Sequence, residues 1–152
     1  MTSVTKIAYA AIDAGGSLPS RHNALNPMTP SQAILTVEDA FLVGLQLKRD
    51  VESLGYEVLG PAPTAEAALA LLDHPNLAFA ILDINLGEEN SIPVAKALQD
   101  RGIPFVFITG YQSVDVAGLE HAEVIRKPAS ADQILEAIKN AVPPLPTPSQ
   151  ID

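Results

Sequence analysis

Apolar and polar positions fall into two patterns along most of the chain. Short continuous apolar runs, AILTV at 33–37, LAFAIL at 77–82 and IPFVFI at 103–108, are separated by stretches whose apolar residues recur at helical spacing. Runs that are apolar on both faces predict strands buried from two sides, and the three-to-four spacing predicts helices laid over them. The first helix is predicted over 39–54, where Val43, Leu47, Val51 and Leu54 follow at +4, +4 and +3 and Gly55 stands where a left-handed cap belongs. A second strand at 56–59 is closed by Pro61 and Pro63. Thr64 can N-cap an Ala- and Leu-rich helix that ends near Asp73, since Pro75 cannot continue it. A helix over 91–101 is stopped by Gly102, a short helix is expected around 113–119, and a fifth strand at 123–126. Ser130 and Gln133 form a capping box that opens a last helix, with Ile134, Leu135, Ile138 and Val142 on its inner face.

Five strand–helix units between residues 33 and 142 predict an α/β fold, a doubly wound five-stranded parallel sheet covered on both faces. The flanks read differently. Residues 1–32 hold Gly15-Gly16, Pro19, Pro27 and Pro30 and no sustained period, and their most apolar stretch, 7–12, is shorter than a secretory core. A disordered or loosely attached leader is expected there, with Met28 as an alternative start. Residues 143–152 hold four prolines and read as an extended tail.

Charge and composition narrow the chemistry. Among 152 residues there are 18 acidic and 9 basic ones, a formal charge of −9. The only adjacent basic pairs are Lys48-Arg49 and Arg126-Lys127, so the clustered cations that bind a phosphate backbone are missing and nucleic acid is not an expected partner. With no Cys, disulfides, thiolate zinc sites and a Cys nucleophile are excluded. No apolar run approaches the ~18 residues that span a membrane, and a cytoplasmic protein without a membrane partner is expected. His22, His74 and His121 lack ligand spacing, and there is no G-x-S-x-G, P-loop or G-x-G-x-x-G pattern.

In doubly wound sheets, ligands collect outside the carboxyl ends of the strands. Glu38 and Asp39 follow the first strand, Asp83 follows the third with Asn85 two residues on, Thr109 ends the fourth ahead of Gly110-Tyr111, and Lys127-Pro128 follows the fifth. One rim should therefore gather three carboxylates, a hydroxyl and an ammonium. Crowded carboxylates raise their pKa values or call in a cation. All-oxygen ligation with retained waters suits Mg²⁺, with Mn²⁺ as a substitute, and a metal held by Glu38, Asp39 and Asp83 leaves room for a phosphoryl oxygen. Each position alone has a plainer reading: Asp39 as a helix cap, Thr109 as a turn residue, Lys127 as a surface charge. Four strand ends carrying complementary chemistry are harder to explain that way.

With these residues in view, 33–142 resembles the receiver domain of two-component response regulators. The marks are T-V-E-D (Glu38, Asp39), I-L-D-I-N-L-G (Asp83), F-I-T-G-Y (Thr109) and I-R-K-P (Lys127). The resemblance implies that Asp83 is the phosphoacceptor and that Glu38, Asp39 and Asp83 hold Mg²⁺ together with the backbone carbonyl of Asn85. It implies that Thr109 binds and reports the phosphoryl group, that Lys127 pairs with it, and that the Lys127–Pro128 peptide suits a cis bond. The string 104–111 (PFVFITGY) is similar to the FAT GUY subgroup, often single-domain receivers served by sensory kinases of the HWE type. A sensor histidine kinase or phosphotransfer protein is then the implied donor, output passes through a protein partner, and the chain catalyses only its own phosphorylation and dephosphorylation. Homodimerisation through the face of the 113–119 and 130–142 helices is an option the resemblance opens.

Three positions depart from the family pattern. Val124 stands where many receivers carry an aromatic switch residue, the loop after Asp83 runs Asn85-Leu86-Gly87-Glu88-Glu89, and Tyr111 follows Thr109 by two and is a candidate to take over part of the switch. Glu88-Glu89 reads most simply as a solvated pair, which could also tune access to Asp83. Two rival readings stand beside the leading one. A phosphorylation-independent pseudo-receiver draws on Val124. A haloacid-dehalogenase-like phosphatase would want an acid at Asn85 and a cap domain.

Overall fold

The computed structural model describes residues 32–110 and 115–142. The leader, the Pro-rich tail and Tyr111 lie outside the described residues, apart from Gln32 at the leader's end. Five parallel strands form the sheet: β1 (Ala33–Val37), β2 (Glu57–Ala62), β3 (Leu77–Asp83), β6 (Phe105–Thr109) and β7 (Glu123–Arg126), in the order β2-β1-β3-β6-β7. A two-stranded hairpin, β4 (Asn85–Leu86) with β5 (Glu89–Asn90), follows β3. Helices α1 (Phe41–Glu52), α2 (Ala65–Ala70), α3 (Ile92–Asp100) and α4 (Ala131–Ala141) complete the described elements. The doubly wound parallel architecture is the one the apolar runs predict.

Alternation along each strand divides the interior into two cores, because successive side chains point to opposite faces. Leu35, Val37, Leu82 and Phe107 point to one face and pack against Ala65 and Ala68 of α2 and Val94 and Leu98 of α3. Ile34, Ile81, Val106 and Ile108 point to the other, against Leu47 and Val51 of α1 and Ile134 and Ile138 of α4. The central strands β1, β3 and β6 are therefore buried on both faces, and the charged residues Glu38, Asp83 and Lys127 stand at the carboxyl ends of β1, β3 and β7.

Local signals hold where they rest on caps. The Thr64 hydroxyl accepts the Ala67 N–H, and the Ser130–Gln133 capping box is formed in both directions. Gly55 sits just past α1 at φ +96°. Packing corrects the reading in four places. Val43 is half exposed, and the inner face of α1 is Gly44, Leu47 and Val51, because the helix begins at Phe41 and its axis is set by the sheet. β2 runs on through Pro61 to Ala62, across a register shift opposite Leu35 and Val37. An edge strand tolerates a missing N–H, and Gly60 at φ +102° carries the irregularity. The helix expected around 113–119 is not present in its described part: residues 115–122 are turns, with Gly118 at φ +89° and buried Leu119 as the anchor. Valines and glycine are poor helix formers, and burying one leucine needs no helix. The hairpin after Asp83 was not foreseen from sequence. It turns at Gly87, φ +83°, with Leu86 buried beneath it.

Leu98 is fully buried between α3 and the sheet. Leu98→Ala should lower the unfolding free energy by about 2–5 kcal/mol, read as a shift in urea midpoint at constant slope. Phe41→Ala, at a position 75% exposed, should change it by less than about 0.5 kcal/mol.

Candidate functional site

The sheet order places β1, β3, β6 and β7 side by side, so their carboxyl ends form one continuous rim. The ladders run on past the strands and fix the rim residues by their backbones. The Glu38 N–H donates to the Ala62 carbonyl (3.0 Å) and the Lys127 N–H to the Thr109 carbonyl (2.8 Å). The Lys127–Pro128 peptide is cis. Asp83 closes β3 opposite Ile108, and Thr109 closes β6. Glu38, Asp83 and Thr109 are buried, while Asp39 is exposed.

The side chains converge. Lys127 Nζ lies 2.8 Å from Asp83 Oδ2 and 3.7 Å from Glu38 Oε1. The Asn85 N–H donates to Asp83 Oδ1 at 3.2 Å, and the Ala40 N–H donates to Glu38 Oε2 at 3.1 Å. One carboxylate oxygen from each of Glu38, Asp39 and Asp83 lies within 4.8 Å of the other two. They face an open cavity of about 460 Å³, which Asn85, Thr109 and Lys127 also line.

The electrostatics follow from three acids meeting one ammonium. Burial pushes the Glu38 carboxyl from 4.5 up to about 7, and its contact with Asp83 adds to the rise, while the Ala40 N–H and Lys127 oppose it. For Lys127, burial works to lower the ammonium, but the hydrogen bond and charge of Asp83, and then Glu38, leave it raised. A hard divalent cation fits this donor set: three carboxylates and no nitrogen or sulfur ligand. Bound there, it would favour the charged forms of acids that otherwise repel each other.

The residues singled out in the sequence thus meet at one place, with two exceptions. Val124 lies within β7, partly buried, paired with Phe107 and packed toward the α2–α3 core, so it does not line the cavity. Tyr111 lies outside the described residues. Sequence reasoning missed the Ala40 N–H, which has no side-chain signature. It also missed Gly87, where a Cβ would stand 3.7 Å from Asp39 Oδ2; the signal available was a glycine two residues after Asn85.

The response regulator receiver domain model matches residues 34–139. The photosynthetic apparatus regulatory protein RegA of Rhodobacter capsulatus is 30% identical over 126 residues, covering 76% of this chain and 67% of RegA. The phyllosphere-induced regulator PhyR of Methylorubrum extorquens is 30% identical over 114 residues, covering 72% of this chain but 43% of PhyR. The solution structure of SdrG from Sphingomonas melonis Fr1 is 34% identical with a TM-score of 0.60, covering 74% of this chain and 96% of that one.

In metal-free buffer, folding takes up a proton at Glu38, because its folded pKa is raised above the ordinary 4.5. That contribution to stability is full below pH 4.5 and is lost as pH rises through about 7. Glu38→Gln should therefore flatten the fall in stability over this window, by about 1–3 kcal/mol. Urea midpoints measured against pH check it, and an unchanged slope would refute the assignment.

Proposed function

The chain belongs to the response regulator receiver family, and from that premise we propose that it takes a phosphoryl group onto Asp83 from a histidine kinase or phosphotransfer protein and thereby switches a protein-interaction surface. The observation that carries this reading is the pairing of Asp83 with Lys127 at 2.8 Å beside a three-carboxylate cluster. A carboxylate approaches a phosphoryl group poorly unless the charge on the equatorial oxygens is offset, and catalysis of this transfer is mostly positioning plus electrostatics.

In the proposed reaction one oxygen of Asp83 attacks phosphorus. An O–P bond forms, the donor's N–P bond breaks, and the imidazole leaves with the bonding pair and takes up a proton. Glu38, Asp39, Asp83 and the Asn85 carbonyl would hold the metal, Mg²⁺ or Mn²⁺, which when bound supplies positive charge to the phosphoryl oxygens. Lys127 supplies the second positive charge, and the Asn85 N–H holds the Asp83 carboxylate in register. Thr109, buried at the end of β6, donates a hydrogen bond from its hydroxyl to the new phosphoryl group and carries the change into the β6–β7 region. Exposed Leu42 and half-exposed Val43, beside Glu38 and Lys127, offer an apolar approach for a donor protein. No external substrate is turned over. The protein is proposed to be cytoplasmic and to bind neither nucleic acid nor membrane; among the described residues no helix is long and apolar enough to cross a bilayer.

Two observations favour a second reading, an interaction module that works without phosphorylation. Val124 offers no ring to rotate, and residues 115–122 form turns where a helix was expected. Intact-mass measurement after incubation with a small phosphodonor separates the two. A single phosphoryl addition that requires the divalent metal and disappears in Asp83→Asn is the expected result. No labelling under any condition, or labelling that survives Asp83→Asn, would overturn the proposal.

A further inference from the structure

A glycine in a helix interior costs about 1 kcal/mol relative to alanine, and Gly44 stands buried inside α1. Its surroundings explain it. A Cβ at this position would meet Pro61 Cβ and Cγ at 2.9 Å and Glu38 Cγ at 3.5 Å. The backbone of α1 therefore rests directly on the Pro61 ring of β2 and against the stem of Glu38. Next to Pro61, Gly60 itself lies close against β1: a Cβ there would stand 2.6 Å from the Thr36 carbonyl oxygen.

The same residues close a mechanical circuit around the first acid. The Glu38 N–H is held by the Ala62 carbonyl, one residue past Pro61. The Glu38 carboxylate is held by the Ala40 N–H, and the Ala40 carbonyl accepts the Gly44 N–H at 2.9 Å. Moving α1 away from Pro61 therefore moves the amide that anchors Glu38. We propose that Gly44 is a positioning residue: its missing side chain seats α1 on Pro61 and Glu38, and this depth sets the Glu38 carboxylate at cation-binding separation from Asp39 and Asp83. The inference rests on the divalent-cation pocket proposed above, and it concerns a residue that does not touch the cation.

The test uses the full chain as wild type, Gly44→Ala and Leu47→Ala. Magnesium affinity is measured by calorimetric titration, and the Ala40 amide proton is followed by NMR in metal-free buffer. Gly44→Ala should weaken Mg²⁺ binding about tenfold, in the range seen when residues supporting a metal ligand are lost, and should shift the Ala40 amide. Leu47→Ala, which hollows the same helix face without adding volume beside Glu38, should lower the urea midpoint and leave both readouts where they were. Affinity and amide shift unchanged in Gly44→Ala would overturn the proposal. So would an equal loss in Leu47→Ala. A wild type that binds no Mg²⁺ would instead end the reading of the pocket itself, and the Ala40 amide would still decide whether Gly44 positions Glu38.

Discussion

Three carboxylates and one ammonium share the end of an apolar sheet, and holding them there is the constraint around which the molecule is arranged. Like charges at this spacing repel, and two of the three acids, Glu38 and Asp83, are buried. The repulsion is absorbed in two visible ways. Lys127 sits between the buried acids, and Glu38 is driven toward its neutral form. An assembly in this condition responds strongly to added charge. That responsiveness is what a signalling site needs.

The fold supplies the rigidity that makes such crowding tolerable. Each rim residue is attached to a strand whose side chains are locked into one of two cores, and the backbone ladder continues into the rim through the Glu38–Ala62 and Lys127–Thr109 hydrogen bonds. Close-packed interiors do not deform continuously, so the rim residues keep their places despite the crowding. The turns within 115–122 are anchored by buried Leu119, with Val116 and Ala122 packed beside it, and by a hydrogen bond from the Gln99 side chain to the Gly118 carbonyl. They lie between β6, which ends in Thr109, and β7, which leads to Lys127.

Legibility in the sequence followed the range of the interaction. The strands were readable because a segment buried on two faces must be apolar throughout, and the Thr64 and Ser130 caps because their partners lie three residues away. The order of Glu38, Asp83, Thr109 and Lys127 after successive strands marked the site, since a parallel sheet brings all carboxyl ends to one side. Less legible were features fixed by distant neighbours. Val43 matched the helical period yet faces solvent, because the sheet sets the helix's roll. Pro61 looked like a strand terminator yet lies within an edge strand. The hairpin around Gly87 and the helix-free path of 115–122 depend on burying Leu86 and Leu119, and no local pattern announces either.

The sequence by itself determined the class of architecture, the two-sided burial of its strands and the inventory of charged groups at their ends. These follow from periodicity and from the one-directional geometry of a parallel sheet. Only the tertiary structure decided that Lys127 lies between Asp83 and Glu38, that the Ala40 amide anchors Glu38, and that a glycine in α1 sits on the Pro61 ring. Those facts are distances of a few ångströms that involve residues far apart along the chain or a backbone amide that no side chain marks. They are set by how helices and edge strands settle against one another, and residue identity alone carries no record of that.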